Sequence, residues 1–169
     1  MKISTQNVIL NHEQIRHKIR RIAYQIYESN VDEEKIIIAG IDGGGLKFAR
    51  KLQAVLKEIT SAEIILCKMM MDKKSPLESG IKTSIPQADY AGESVVLVDD
   101  VLNSGTTLIY GVQHFLKTPL KRLKTAVLVN RNHKKYPVKA DFKGISLSTS
   151  LQEHVEVVFK SKQDAVYLN

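Results

Sequence analysis

Residues 95–107 read VVLVDDVLNSGTT, and this run constrains the fold more than any other part of the chain. Val95 to Val98 is apolar without alternation, the pattern of a strand covered on both faces in a parallel sheet. The strand is expected to stop at Asp99-Asp100. Two aliphatic residues follow, then the small-residue turn Asn103-Ser104-Gly105-Thr106-Thr107. Leu108, Val112, Phe115 and Leu116 mark a helix after it. A strand, an acidic end, a small turn and a helix in direct succession belong to an α/β fold. In such folds ligands sit at the carboxyl ends of the strands.

Each part of this junction has a chemical use. Two adjacent carboxylates suit the vicinal 2′- and 3′-hydroxyls of a ribose. The free N–H groups and positive dipole end of the following helix suit a phosphate. Ser104, Thr106 and Thr107 add hydroxyl donors, and Gly105 lets the backbone approach closely. Helix capping alone would explain any one Ser or Thr. It does not explain the acidic pair and the turn together. The expectation is a ribose-5-phosphate cradle, with Asp99 and Asp100 as the catalytic candidates.

The rest of the chain reads as one domain. Ile15, Ile19, Ile22, Ala23 and Ile26 recur at helical spacing, with Arg16, Arg20 and Arg21 on other faces. Ile36 to Ile41 is a second buried strand, ended by Asp42-Gly43-Gly44-Gly45. Leu46, Ala49, Leu52, Leu56 and Ile59 mark the helix after it. Further strands are expected at Glu63 to Lys68, Ser94 to Val98 and Thr125 to Val129. Alternating strands and helices argue for an open, central parallel sheet with right-handed crossovers. Residues 69–92 lack apolar periodicity, and a loop this long in a compact domain is usually functional. Beyond Val129 short strands and turns are expected. Val155 to Phe159 alternates, and Ala165 to Leu168 suits a sheet edge.

Composition removes several alternatives. The 169 residues suffice for one full core. A single cysteine, Cys67, excludes a disulfide framework or a cysteine-rich zinc site within one chain, and reads as a small buried strand residue. No apolar run is long enough for a transmembrane helix, and the first ten residues lack a signal-peptide core, so no membrane partner and a cytoplasmic location are expected. The net charge of +7 fits a phosphate-bearing partner, or simply a soluble surface. The five histidines are scattered, and no Ser-His-Asp or Cys-His arrangement is apparent.

The run 95–107 resembles the PRPP-binding motif of the type I phosphoribosyltransferases, where PRPP is 5-phosphoribosyl diphosphate. VILNHEQIRHKIRRIAYQIYESN, AVLVNRNHKKYPVKADFKG, LSTSLQEHVEVVF and DAVYLN extend the resemblance over nearly the whole chain. They point to the PyrR-like subfamily of pyrimidine-operon attenuators that are also uracil phosphoribosyltransferases. The resemblance implies a single domain over 1–169, with a core at about 20–135 and a flexible catalytic loop at about 68–86. It also implies a hood at about 136–169, joined by part of the N-terminus, that covers the base. Implied too are a diphosphate loop at Asp42, Gly43, Gly44 and Gly45, and base or hood residues at Lys139, Asp141 and Phe142. Mg²⁺ would enter with PRPP and through water, with Asp42 a possible holder and no direct protein ligand otherwise. A nucleobase and a nucleoside monophosphate are the implied small partners, and a homodimer or larger assembly the implied state.

The implied activity is transfer of ribose 5-phosphate from PRPP to uracil, with release of diphosphate. Two alternatives stay open. One is an RNA-binding, nucleotide-sensing regulator, with Arg20, Arg21, His133 and Lys134 as the RNA-contact candidates. The other is a purine phosphoribosyltransferase, disfavoured because Asn103 stands where those enzymes carry an aspartate. The chain also departs from its subfamily. Its 42–45 loop lacks the basic residue found there, and Thr106 replaces an arginine. Positive charge near the diphosphate is thereby reduced.

Overall fold

The computed structural model describes residues 6–169. In chain order the elements are β1 (Asn7–Leu10), α1 (His12–Glu28), β2 (Lys35–Ile41), α2 (Gly44–Ile59), β3 (Glu63–Met70), α3 (Pro76–Ser79), β4 (Lys82–Thr83), α4 (Gln87–Tyr90), β5 (Ser94–Leu102), α5 (Thr106–Leu116), β6 (Arg122–Arg131), β7 (Phe142–Leu147), β8 (Val155–Val158) and β9 (Ala165–Leu168). The main sheet has the order β4-β3-β2-β5-β6-β7. All of its pairs are parallel except β3 with the two-residue edge strand β4. This is the open α/β sheet expected from the alternation of elements.

The unbroken apolar strands bury both faces, as their sequences require. Ile36 and Ile38 of β2, with Val96 and Val98 of β5, face a core shared with α1 and α2. Ile37, Ala39, Val95 and Leu97 face the other core, closed by Leu108 and Phe115 of α5 and by Tyr90. Each buried Ile, Val or Leu contributes about 1.5–3 kcal/mol, so two such layers hold the central strands firmly. Helix α1 begins with a capping box. The Asn11 side chain accepts from Gln14 N, and the Gln14 side chain accepts from Asn11 N, both at 2.9 Å.

Strand order reverses between β2 and β5, the adjacent central strands from which the chain winds outward both ways. The carboxyl ends of these two strands carry the two glycine-containing loops. A crevice opens at such a reversal point in open α/β sheets.

A second, three-stranded antiparallel sheet, β1-β9-β8, joins the start of the chain to its end. Strand β9 lies at its centre rather than at an edge. Buried Asp164, in the turn before β9, ties this sheet to the helices. Its carboxylate meets Lys51 Nζ of α2 at 3.0 Å, and it accepts from Lys160 N at 2.9 Å.

Three expectations need correction. Strand β5 does not stop at Asp99; it runs on to Leu102, with Asp99 paired to Val127 and Val101 to Val129 of β6. Strand β3 continues to Met70, so the loop proper begins at Met71. Residues 142–147 form the sixth strand of the main sheet, so the segment around Phe142 is not part of the overhanging small sheet.

Candidate functional site

Asp99 and Asp100 sit in β5 shortly before its end at Leu102 and project to opposite sides of the strand. Asp99 is 4% exposed, and its Oδ1 accepts from Asp100 N at 3.0 Å. Asp100 is half-buried, and its Oδ1 accepts from Val101 N at 2.9 Å. Burial pushes the Asp99 carboxyl up to about 8, with the neighbouring Asp100 charge adding to the rise and Lys73 opposing it. In its protonated form Asp99 can both donate and accept a hydrogen bond.

The acid pair is packed against the start of α2. A Cβ on Gly44 would collide with the Asp100 carboxylate, and one on Gly45 would come within 3.0 Å of Asp99 Oδ1. Those glycines are thus needed by the close approach of two loops. Gly43 precedes them at φ 96°, and no side chain caps the helix. The first N–H groups of α2 point out of the sheet end without a capping partner.

The turn 103–107 forms a second nest. Gly105 is left-handed, φ 86°, and α5 has no side-chain cap bond either. Ser104 Oγ lies 2.9 Å from Thr106 Oγ1, so the two hydroxyls are paired within the turn. The Ser104 carbonyl accepts from Lys135 N at 2.7 Å and from Tyr136 N at 3.2 Å, which fixes the turn from outside. A cavity of about 50 Å³ lies inside, lined by Asp99, Asn103, Gly105, Thr106 and Thr107 among others. Asn103 is exposed at its rim.

The expected base residues stand elsewhere. Asp141 Oδ2 accepts from Thr125 N at 2.9 Å, and Lys139 lends its carbonyl to Thr125 Oγ1 at 2.7 Å. Phe142 is buried in the core beneath α1 and pairs with Ala126, well before the carboxyl end of β6. All three hold the start of β7 in place. The structure brings Asp42 to Gly45 together with Asp99 to Thr107, but not Lys139, Asp141 or Phe142.

Two of the expected RNA contacts are engaged internally. Arg21 donates to the carbonyls of Gly144 at 2.8 Å and Lys143 at 3.1 Å, joining α1 to β7. His133 Nε2 lies 2.6 Å from the Thr149 carbonyl oxygen. Arg20 and Lys134 are exposed, with the Arg20 guanidinium 5.5 Å from the Tyr24 ring centre. A groove of about 600 Å³ between α1 and α2 is lined by His12, Arg16, His17, Arg20 and Lys51, together with Glu58 and Asp164.

In the sequence Arg131 reads only as one of a basic cluster with His133 and Lys134, and its internal role is not apparent there. Arg131 is 5% exposed, and it donates to Thr149 Oγ1 at 3.0 Å and to the Glu153 carbonyl at 2.7 Å. It therefore braces the loop 148–154 beyond β7. Its one signal is a cation closing the apolar run of β6. Lys68 and Lys73 reach the loops at the strand ends, at 3.5 Å from Asp42 and 3.7 Å from Asp99. Among the described residues no three His, Cys, Asp or Glu side chains converge as metal ligands. Asp42 and Asp100 offer single carboxylates at the crevice, each suited to Mg²⁺ only through water or through a ligand's own oxygens.

Residues 5–163 match the family described as the phosphoribosyl transferase domain. The chain is 33% identical over 148 residues to the bifunctional protein PyrR of Streptococcus thermophilus, covering 85% of this chain and 84% of that one. It is 32% identical over 164 residues to the PyrR of Haemophilus ducreyi, covering 90% and 89%. Among solved structures, a hypoxanthine-guanine phosphoribosyltransferase of Bacillus anthracis matches with a TM-score of 0.76 at 19% identity, covering 98% and 99% of the two chains. A Trypanosoma cruzi hypoxanthine phosphoribosyltransferase complexed with IMP matches with a TM-score of 0.78 at 17% identity, covering 100% and 94%. These structural likenesses speak for the fold.

Proposed function

Because the chain belongs to the phosphoribosyl transferase domain family, we propose that it transfers ribose 5-phosphate from PRPP to a nucleobase, uracil first, with release of diphosphate. The observation that carries the reading is the acid pair seated between two uncapped helix starts. A ribose with a phosphate at one end and a diphosphate at the other needs that arrangement.

The 5-phosphate enters the 103–107 nest, where backbone N–H groups and the hydroxyls of Ser104, Thr106 and Thr107 receive it. Asp99 and Asp100 receive the ribose hydroxyls. The raised Asp99 carboxyl lowers the negative charge that the pair presents to an anionic donor. The diphosphate lies over the start of α2, at Asp42 to Gly45. The transition state has oxocarbenium character and needs a held ribose and exclusion of water more than proton transfer. Mg²⁺ bound to diphosphate oxygens would neutralise the leaving group, with Asp42 and Asp100 as its water-mediated holders.

Uracil is favoured over purines on two grounds. The curated relatives are PyrR proteins, and Asn103 cannot serve as a base toward a purine ring. The loop 148–154, braced by Arg131, is the candidate cover for the base, in place of Lys139, Asp141 and Phe142. The test is binding of ribose 5-phosphate by the protein and by Asp100→Asn. Affinity should fall by about tenfold on loss of a charge-assisted hydrogen bond. Unchanged affinity would count against the site.

A second reading, an RNA-binding regulator, is favoured by the basic groove between α1 and α2. Arg20 and Lys134 are its free candidates, whereas Arg21 and His133 are held internally. Salt-dependent retention of RNA, lost in Arg20→Glu and Lys134→Glu, would support it. Equal affinity for any polyanion would sink it.

A further inference from the structure

One short segment touches both the phosphate turn 103–107 and the loop 148–154. After β6 ends at Arg131, the chain runs to Val138 without regular structure. The later part of this segment sits on the phosphate turn. Lys135 N and Tyr136 N both donate to the Ser104 carbonyl, at 2.7 and 3.2 Å. Val138 packs so closely on Gly105 that a Cβ there would meet Val138 Cγ1 at 2.6 Å. The Tyr136 ring meets Tyr110 of α5 edge-on, with ring centres 6.3 Å apart.

The earlier part of the segment holds the loop 148–154. Asn132 Nδ2 donates to Ser148 Oγ at 3.5 Å. His133 Nε2 stands 2.6 Å from the Thr149 carbonyl oxygen and 3.1 Å from Thr149 Oγ1. A carbonyl oxygen only accepts, so Nε2 is the ring nitrogen that carries hydrogen. The remaining hydrogen bonds of this loop, among the described residues, come from Arg131, run within the loop, or join His154 to Asn169. Arg131 is the last residue of β6 and is fixed with the sheet. His133 lies beyond the strand, two residues before the first donor to Ser104. A shift of the phosphate turn therefore reaches the loop through His133 rather than through Arg131.

We propose that His133 is a positioning residue for the base, tying the cover loop 148–154 to the segment that rests on the phosphate turn. The Ser104 carbonyl and the Gly105 N–H belong to one peptide unit. When that N–H donates to the 5-phosphate, the unit is polarised, and the two bonds its carbonyl accepts from Lys135 and Tyr136 strengthen. The segment is then held more firmly, and His133 holds Thr149 with it. Filling the phosphate turn thus fixes the loop that covers the base. The proposal rests on the PRPP reading above, and it assigns His133 to the transfer site rather than to RNA.

The test is amide hydrogen–deuterium exchange of residues 148–154 in the full chain, with and without ribose 5-phosphate, together with steady-state kinetics with uracil. In the unsubstituted protein ribose 5-phosphate should slow exchange in this loop by about fivefold, the effect of one strengthened hydrogen bond. His133→Ala should lose that slowing while its ribose 5-phosphate affinity stays within about twofold, because no contact of His133 to that ligand is invoked. The same variant should raise KM for uracil by about fivefold, with kcat at saturating uracil changed less than about twofold. His133→Gln, whose amide can donate to the Thr149 carbonyl, should restore both the slowing and the KM. Persistence of the slowing in His133→Ala overturns the proposal, as does its absence in an unsubstituted protein that binds ribose 5-phosphate; both leave the phosphate site intact. If uracil is not turned over, the exchange measurement decides alone. If the unsubstituted protein binds no ribose 5-phosphate, the PRPP reading fails and the proposal with it.

Discussion

Replacing Asp99 by asparagine should remove one large contribution to the way stability depends on pH. In the folded protein Asp99 titrates near 8, mainly because it is buried; in the unfolded chain its carboxyl has the ordinary value near 4. Between those limits the folded state holds a proton that the unfolded state has lost. Stability from this group is therefore complete at low pH. It falls as pH rises, by about 1.4 kcal/mol per unit, until the folded carboxyl ionises near 8. Asparagine does not titrate. Its oxygen can still accept from Asp100 N, and its amide can take the place of the carboxyl proton. From pH 5 to pH 7 the variant should gain about 3 kcal/mol on the native protein. In a domain of this size that corresponds to roughly 5–11 °C in Tm. Lys73 loses its partner, but its ammonium is 46% exposed and remains solvated. Thermal unfolding followed by circular dichroism at pH 5, 6 and 7, without ligand, reads the difference directly. Parallel pH curves for the two proteins would refute the buried, protonated Asp99 described above.

Two further substitutions probe the packing of the site. Gly44→Ala drives a methyl group into the Asp100 carboxylate and should cost about 1–3 kcal/mol in urea unfolding, with ribose 5-phosphate binding reduced; full stability and full binding would contradict the contact. Arg131→Met should destabilise by about 1–3 kcal/mol, because the Ser150 and Glu153 carbonyls lose their buried donor. It should also raise KM for the base with little change in PRPP affinity, and open residues 148–154 to limited proteolysis; a protected loop with an unchanged KM would remove it as the cover.

The central half of the fold is legible in the amino-acid order because its cause is local. Ile36 to Ile41 and Val95 to Val98 are apolar throughout, which only a doubly covered strand tolerates, and α1 shows its buried stripe at helical spacing. Cys67, read as a buried strand residue, is buried in β3. The edges are less legible. Strand β5 continues through two aspartates because β6 still pairs with it, a fact set by a partner strand far along the chain. Phe142 belongs to a short strand whose alternation looks the same in a main sheet or an overhang; only its pairing with Ala126 decides. At the proposed site, the candidate residues of the junction 99–107 are adjacent in the chain, so the proposal can be read from the sequence. The seating of Gly44 and Gly45 against the acid pair needs two strands brought side by side. Lys68 and Lys73 make their contacts across loops, and nothing in their neighbours distinguishes them from solvated cations; Arg131 is marked only by the apolar run it closes.

No helix among the described residues is long and apolar enough to cross a membrane. The most direct test of the central claim is diphosphate release from PRPP with Mg²⁺ across a panel of free bases, with uracil, hypoxanthine and guanine included. The account predicts release that requires both PRPP and a base, greatest with uracil and abolished in Asp100→Asn. Binding of PRPP with no release for any base would contradict it, and would leave the nucleotide-sensing regulator as the better reading of the same cradle.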